Sequence, residues 1–301
     1  MRNLSAKITQ VLELSKLTFE GRFNEHDNLS IYKKLPKASD LLIVTLSIVM
    51  EYLGVHSEYQ LYNTLKADAP DYFGWLPDRT NFNRRRRKLH STVDEFANYL
   101  AMEMCDKEDV FIIDSTPIEI CRFARFNSLK IMQDKIDFKP QVARNYIDKR
   151  SYAGYKLHAV VSTKGVIINY ELTQANVHDV TMLQPLAQTL PSDSELIGDK
   201  GYISKARQLE IFTDNQVKVY TASRSGQRPT PFPINSHKQR IRKRIETCFS
   251  QLKDQYRLAS NYAKSFYGFM TRVVSKIAAF TVAQYINFLD SKPLGKVKYA
   301  I

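Results

Sequence analysis

The chain has 301 residues, 44% hydrophobic and 25% charged, an ordinary globular make-up long enough for two domains or one large domain with an appendage. Its 44 Lys and Arg against 31 Asp and Glu give a formal charge of +13, which points to a polyanionic partner and says nothing about fold. Cys105, Cys121 and Cys248 are odd in number and lack CxxC spacing, which argues against a disulfide framework or a cysteine zinc site.

Residues 1–105 read as helical. The opening Met1-Arg2-Asn3-Leu4-Ser5 lacks a signal-peptide apolar core, and the apolar run 41–50 is too short to span a bilayer, so a cytoplasmic protein is expected, nucleoid-associated if its partner is DNA. Residues 40–53 suit a buried helix that stops at Gly54, a plausible C′ glycine. Ser57-Glu58-Tyr59-Gln60 has the form of a capping box and opens a helix to about residue 67. Residues 70–78 read as a loop with Trp75 as a core anchor, and a long helix is predicted over 80–104. That helix begins with Arg84-Arg85-Arg86-Arg87-Lys88, which covers more than one turn. One or two side chains on phosphate is the expectation there, with Arg84 and Arg85 as the candidates. Short helices around a tight turn suggest a helix-turn-helix-like DNA-binding unit.

From about residue 108 the pattern changes to strands. Residues 110–114, 154–163 and 166–172 are apolar or β-branched, the last two separated by the hairpin signal Lys164-Gly165. A helix is predicted over 176–190, a strand over 195–199, a helix over 205–212 and a strand over 217–221. A loop over 223–236 with three prolines leads to a long basic helix, and a helix over 266–289 precedes a basic tail. The fold class is therefore α/β, a mixed sheet flanked by helices and preceded by an all-α domain. The division is 1–105 helical, 106–290 catalytic and 291–301 tail.

Two acids end apolar, β-rich runs: Asp114 after Val110-Phe111-Ile112-Ile113, and Asp199 after Glu195-Leu196-Ile197-Gly198. A buried strand fixes the backbone while its tip stays wet, although Ser115-Thr116-Pro117 and Lys200-Gly201-Tyr202 are equally compatible with simple turns. Glu246 lies on the basic helix. At about 100° per residue, Ile245, Cys248, Phe249, Leu252 and Tyr256 form its apolar stripe. Gln239, Arg242, Glu246, Ser250 and Lys253 run along its edge, so Glu246 sits at the boundary of core and solvent with a cation on each side. The competing reading is a surface Arg242–Glu246 pair worth a few tenths of a kcal/mol. Glu119, Glu171 and Asp179 compete with Glu246 as the third acid. Asp179 is explained as well by a helix start, and His158 by packing in a strand.

Basic residues cluster: nine Lys and Arg against two acids between Arg224 and Arg257, and nine against three between Arg122 and Lys156. Lys156 is the phosphate-contact candidate of the second cluster. Three acids in such a setting suit two divalent cations, Mg²⁺ or Mn²⁺, beside a phosphodiester. No Walker or dinucleotide glycine motif is present in the sequence.

Five pieces in order resemble bacterial insertion-sequence transposases of the Asp-Asp-Glu class. They are Ile112-Ile113-Asp114-Ser115-Thr116-Pro117, Gly154-Tyr155-Lys156-Leu157-His158, Ala175-Asn176-Val177-His178-Asp179, Ile197-Gly198-Asp199-Lys200-Gly201-Tyr202, and Arg242-x3-Glu246-x6-Lys253. The last is similar to a Tyr-x2-Arg-x3-Glu-x6-Lys signature, with Gln239 in place of the tyrosine. The resemblance implies a ribonuclease H-like core related to retroviral integrase. It also implies that Asp114, Asp199 and Glu246 are catalytic metal ligands and that Arg242 and Lys253 face DNA. The expected activity is binding of mobile-element ends, then metal-dependent cleavage and strand transfer on double-stranded DNA, by a homodimer or larger assembly. The alternatives are a ribonuclease H-like nuclease or resolvase that does not join strands, and an inactive DNA-binding descendant.

Overall fold

The computed structural model describes residues 4–55, 57–145, 149–223 and 230–299. Arg224, Arg228 and Asp148 of the two basic clusters lie outside them. The helical part comprises α1 (Leu4–Thr18), α2 (Asp40–Tyr52), α3 (Glu58–Asp68), α4 (Pro70–Gly74), α5 (Arg79–Lys88) and α6 (His90–Met104). Gly54 ends α2 at φ +69°, a left-handed position that favours glycine, and Ser57 Oγ caps α3 by accepting from Gln60 N. The helix predicted over 80–104 is two helices, broken at Leu89, and the predicted loop contains α4. Trp75 is 63% exposed and anchors no core, because α4 ends just before it and turns it outward.

The sheet is built from β1 (Val110–Arg122), β2 (Gln141–Asn145), β3 (Arg150–Ser162), β4 (Ile167–Gln174), β5 (Glu195–Gly198) and β6 (Lys218–Thr221). β3 runs antiparallel to β1 and pairs on its other edge with β2 and then β4, while β5 lies parallel to β1 and β6 parallel to β5. The order β4-β3-β1-β5-β6, with an antiparallel meander and two parallel strands on its far side, is that of a ribonuclease H-like sheet. Short α7 (Leu183–Ala187), α8 (Lys205–Asn215), α9 (Ser236–Asp254) and α10 (Phe266–Leu289) complete the fold. The helix expected over 176–190 is shorter and begins with a 3-10 segment at Asp179–Met182 before α7.

β1 is much longer than the predicted 110–114. Its pairing with β5 stops at Ile113, but its pairing with β3 continues to Arg122. Beyond Asp114 it has a neighbour on one side only, which tolerates Pro117. Gly154 on β3 allows a close approach there, since a Cβ would meet the carbonyl oxygen of Ile118.

Alternation along β1 separates two cores. Phe111 and Ile113 face α7 and α8 with Leu183, Leu186 and Ile211. Ile112 and Ile118 face the other side, in one apolar cluster that runs without a break through α9, α10 and the helical part. The expected boundary near residue 105 is thus a change of secondary structure within a shared core.

Within that core lies a buried ionic network. Glu51 on α2, 1% exposed, accepts from Arg86 of α5 at 3.0 Å and Lys276 of α10 at 2.6 Å. Lys276 also donates to the carbonyl of Tyr256, just past α9. Buried pairs add little net stability, but removing one partner strands the other charge, at about 3–5 kcal/mol. Glu51→Gln is expected to lower the unfolding free energy by about that amount, read from urea denaturation. An unchanged midpoint would show that the network bears no weight.

Candidate active site

Ile113 stands opposite Gly198 in the parallel ladder, so Asp114 and Asp199 leave adjacent strands at the same level. Each carboxylate is steadied by local backbone: Asp114 Oδ1 accepts from Ser115 N at 2.8 Å, and Asp199 Oδ1 from Gly201 N at 2.7 Å. Only the second is the turn bond that the sequence allows, because Ser115-Thr116-Pro117 continue β1. Both bonds coexist with a strong opposing effect, because burial first and then the charge of Asp199 push the Asp114 carboxyl up to about 7. Arg242, 3.6 Å from Asp114 Oδ2, offsets this only in part.

The structure adds Asp179 to the pair. Its Oδ1 accepts from Ser115 Oγ at 2.9 Å and Lys156 Nζ at 2.8 Å. Its Oδ2 lies against Gly201, where a Cβ would stand 3.1 Å from it and 2.9 Å from Asp199 Oδ1. A side chain at 201 would therefore wedge between two carboxylates. His158 is fully buried with Nδ1 3.9 Å from Asp179, and burial pushes its pKa down to about 4, so it is neutral. Tyr202 is buried beside all three acids; burial and their charges hold its phenol far above the ordinary range. Asp179 stood within the Ala-Asn-Val-His-Asp piece, but the helix-start reading hid its role, because its partners are 64 and 23 residues away.

α9 packs against β1 and β5, burying Ile245, Cys248, Phe249 and Leu252. Glu246 is 53% exposed and takes Arg242 Nη2 at 2.8 Å. Arg242 thus spans Asp114 and Glu246, joining the third predicted acid to the sheet through a cation. Lys253 lies half-buried near the end of the same helix. Glu119 is paired with Arg150 at 2.8 Å, and Glu171, exposed on β4, feels the charge of Asp94 on α6. Of the arginine run, Arg84 is exposed, whereas Arg85 is turned inward to Asp40 and the Ala38 carbonyl, both at 2.6 Å. The expectation that Arg85 touches DNA is at odds with this placement: Asp40, buried at the start of α2, holds its guanidinium.

Among the described residues no group of three or more His, Cys, Asp or Glu side chains is arranged to hold a metal ion. The Asp114–Asp199 pair nevertheless fits a hard divalent cation. Its donors are carboxylate oxygens on adjacent strands, and Mg²⁺ typically keeps several waters while using one or two carboxylates.

A family model described as "Transposase DDE domain" matches residues 106–282. No curated protein matches the chain. Two solved structures are similar to it at low identity. The Mos1 transposase paired-end complex with left transposon end is 12% identical over 90% of this chain and 82% of that one, with a TM-score of 0.30. A pre-cleavage Mos1 transpososome is 10% identical over 95% and 98%, with a TM-score of 0.21.

The electrostatics of Asp114 set a pH dependence. Its folded pKa, about 7, lies above the ordinary 3.8, so the folded state binds more protons in that window and stability falls as pH rises through it. Asp114→Asn keeps the acceptor for Ser115 N and removes the charge. Without divalent ions, this variant is expected to melt above the wild type at pH 8, by up to about 4 kcal/mol, and to match it near pH 4. Mg²⁺ should raise the wild-type melting point and leave the variant's where it is. A wild type indifferent to both pH and Mg²⁺ would contradict the assignment.

Proposed function

The chain belongs to the transposase DDE domain family, and from that membership we propose that it binds the ends of a mobile element and cuts and joins DNA strands using two divalent metal ions. The observation that carries the reading is the side-by-side placement of Asp114 and Asp199, close enough for the charge of Asp199 to oppose ionisation of Asp114. When bound, Mg²⁺ or Mn²⁺ would supply activation of the attacking oxygen and stabilisation of the leaving one.

Asp114, inside β1 where its pairing with β5 stops, and Asp199, just past β5, would hold these cations, and Glu246 would complete the second position from α9. Arg242, spanning Asp114 and Glu246, is in reach of a phosphate laid across the acids. Lys156, anchored by Asp179, places a second cation at the same site, and Lys253 contacts DNA further along α9. Water first attacks the phosphodiester, its oxygen bonding to phosphorus as the bond to the 3′ oxygen breaks. The freed 3′-hydroxyl then attacks a target phosphodiester, its oxygen bonding to phosphorus as the bond to the target's own 3′ oxygen breaks. Two ends must be brought together, so the working form is at least a homodimer on double-stranded DNA.

Asp114→Asn, Asp199→Asn and Glu246→Gln are each expected to lower Mg²⁺-dependent nicking by at least about 100-fold while keeping circular dichroism and gel shift, as loss of a transition-state interaction worth about 3 kcal/mol would. Glu119→Gln should retain activity, its carboxylate being paired with Arg150. Lys253→Ala should mainly weaken productive DNA placement. A strand-transfer assay with pre-cut ends separates a transposase from a nuclease that only cuts. Robust nicking by Asp114→Asn or Asp199→Asn would sink the assignment.

A further inference from the structure

The arginine run is divided by the fold. Arg85 and Arg86 turn inward, Arg85 to Asp40 and Arg86 to Glu51 and Glu58. Arg84 and Arg87 stay exposed, and with Arg79 they border a groove between α5 and the segment leading into α10. Two adjoining cavities of about 410 and 320 Å³ make up this groove, sharing Glu58, Asn83 and Arg87. Their lining includes the cations Arg79, Arg84, Arg86, Arg87, Lys264 and Arg272, and one acid, Glu58.

That acid is already satisfied. Glu58 accepts from Asn83 and Arg86 at 3.1 Å and from Arg272 at 3.3 Å, and although burial opposes it, the two guanidinium charges hold its carboxyl below the ordinary range. It therefore presents little free negative charge to a ligand. Beneath the groove, Arg86 pairs with Glu51 and Glu58, and its buried Nε has no hydrogen-bond partner. Arg79, Arg87 and Lys264 make no ion pair among the described residues. The groove is short of anions along its rim.

Its length identifies the anion. Arg79, Asn83 and Arg87 lie four residues apart along one face of α5. At 1.5 Å per residue, Arg79 to Arg87 spans about 12 Å. A duplex rises about 3.4 Å per nucleotide along its axis, and the winding of the backbone sets consecutive phosphates of one strand further apart than that, so the groove is long enough for at least two of them, where a single inorganic ion would fill one end. We propose that this groove, between α5 and the approach to α10, is a binding site for the sugar-phosphate backbone of duplex DNA, with Arg84, Arg87 and Lys264 as its phosphate contacts. It shares no residue with the acid site, and it rests on the transposase reading for the presence of DNA.

The test is duplex affinity of the full chain against salt. Log affinity should fall linearly with log salt, and the triple variant Arg84→Gln, Arg87→Gln, Lys264→Gln should reduce the slope by about 0.9 for each phosphate left without its cation, close to 3 in all. These side chains are exposed and glutamine keeps much of their length; an unaltered thermal melt confirms that the fold persists. Should the triple variant melt early, single variants at 84 and 264 carry the same measurement, each expected to remove about 0.9 from the slope. Inorganic phosphate at millimolar concentration should compete weakly. Competition by phosphate as effective as that of a short duplex would overturn an extended backbone site in favour of a single-ion pocket. A wild type that binds and nicks DNA while the variants keep its salt slope overturns the groove alone. A wild type that binds no duplex at low salt overturns both the groove and the transposase reading.

Discussion

The parallel pairing of β1 with β5 sets Ile113 opposite Gly198, and the acids follow one residue later, Asp114 where β1 loses β5 as a neighbour and Asp199 where β5 ends. Because side chains alternate along a strand, a slip of one residue would send one carboxylate to the opposite face and separate the pair. The register is held by burial on both faces: Phe111 and Ile113 pack under α7 and α8, while Ile112 packs toward α9 and α10. The Ser115 and Gly201 amides then aim the carboxylates, and Asp179 fastens Lys156 beside them. The site thus inherits its geometry from hydrophobic contacts that take no part in its chemistry.

Much of this was legible in the sequence where a local pattern coincides with a physical cause. The apolar stripe read on the basic helix is the buried face of α9, and the Ser57 helix cap and the glycine stop at Gly54 are both present. The C-terminal helix has its predicted bounds. What escaped depends on distant partners. β1 runs on past Pro117 because β3 pairs with it across a separation no local signal carries. The helix read over 80–104 breaks at Leu89, where no proline or glycine marks it. Asp179 looked like a helix-start acid since Ser115 and Lys156 reach it only in the folded chain, and Arg85 looked like a DNA contact because Asp40 lies 45 residues away.

The network around Glu51 has a reach beyond its own helix. Arg86 carries it to the helix bearing the exposed arginines, and Lys276 carries it through the Tyr256 carbonyl to the end of α9, the helix of Glu246. Buried ion pairs are poor sources of net stability but demand one geometry, since any displaced charge is left without water. The proposed groove and α9 are thereby held in a fixed relation.

The uninterrupted core has a consequence for how such a chain can diversify. α10 is buried along nearly its whole length, between α2 and α6 on one flank and α9 on the other. A catalytic unit cut free at residue 105 would carry Val273, Ile277, Phe280 and neighbouring apolar side chains into water and leave Lys276 without Glu51. The amino-terminal helices are therefore continuous with the rest of the core, and recombination at that point would expose apolar surface on both sides. Change in such a chain falls first on surface side chains, on a frame that is inherited whole.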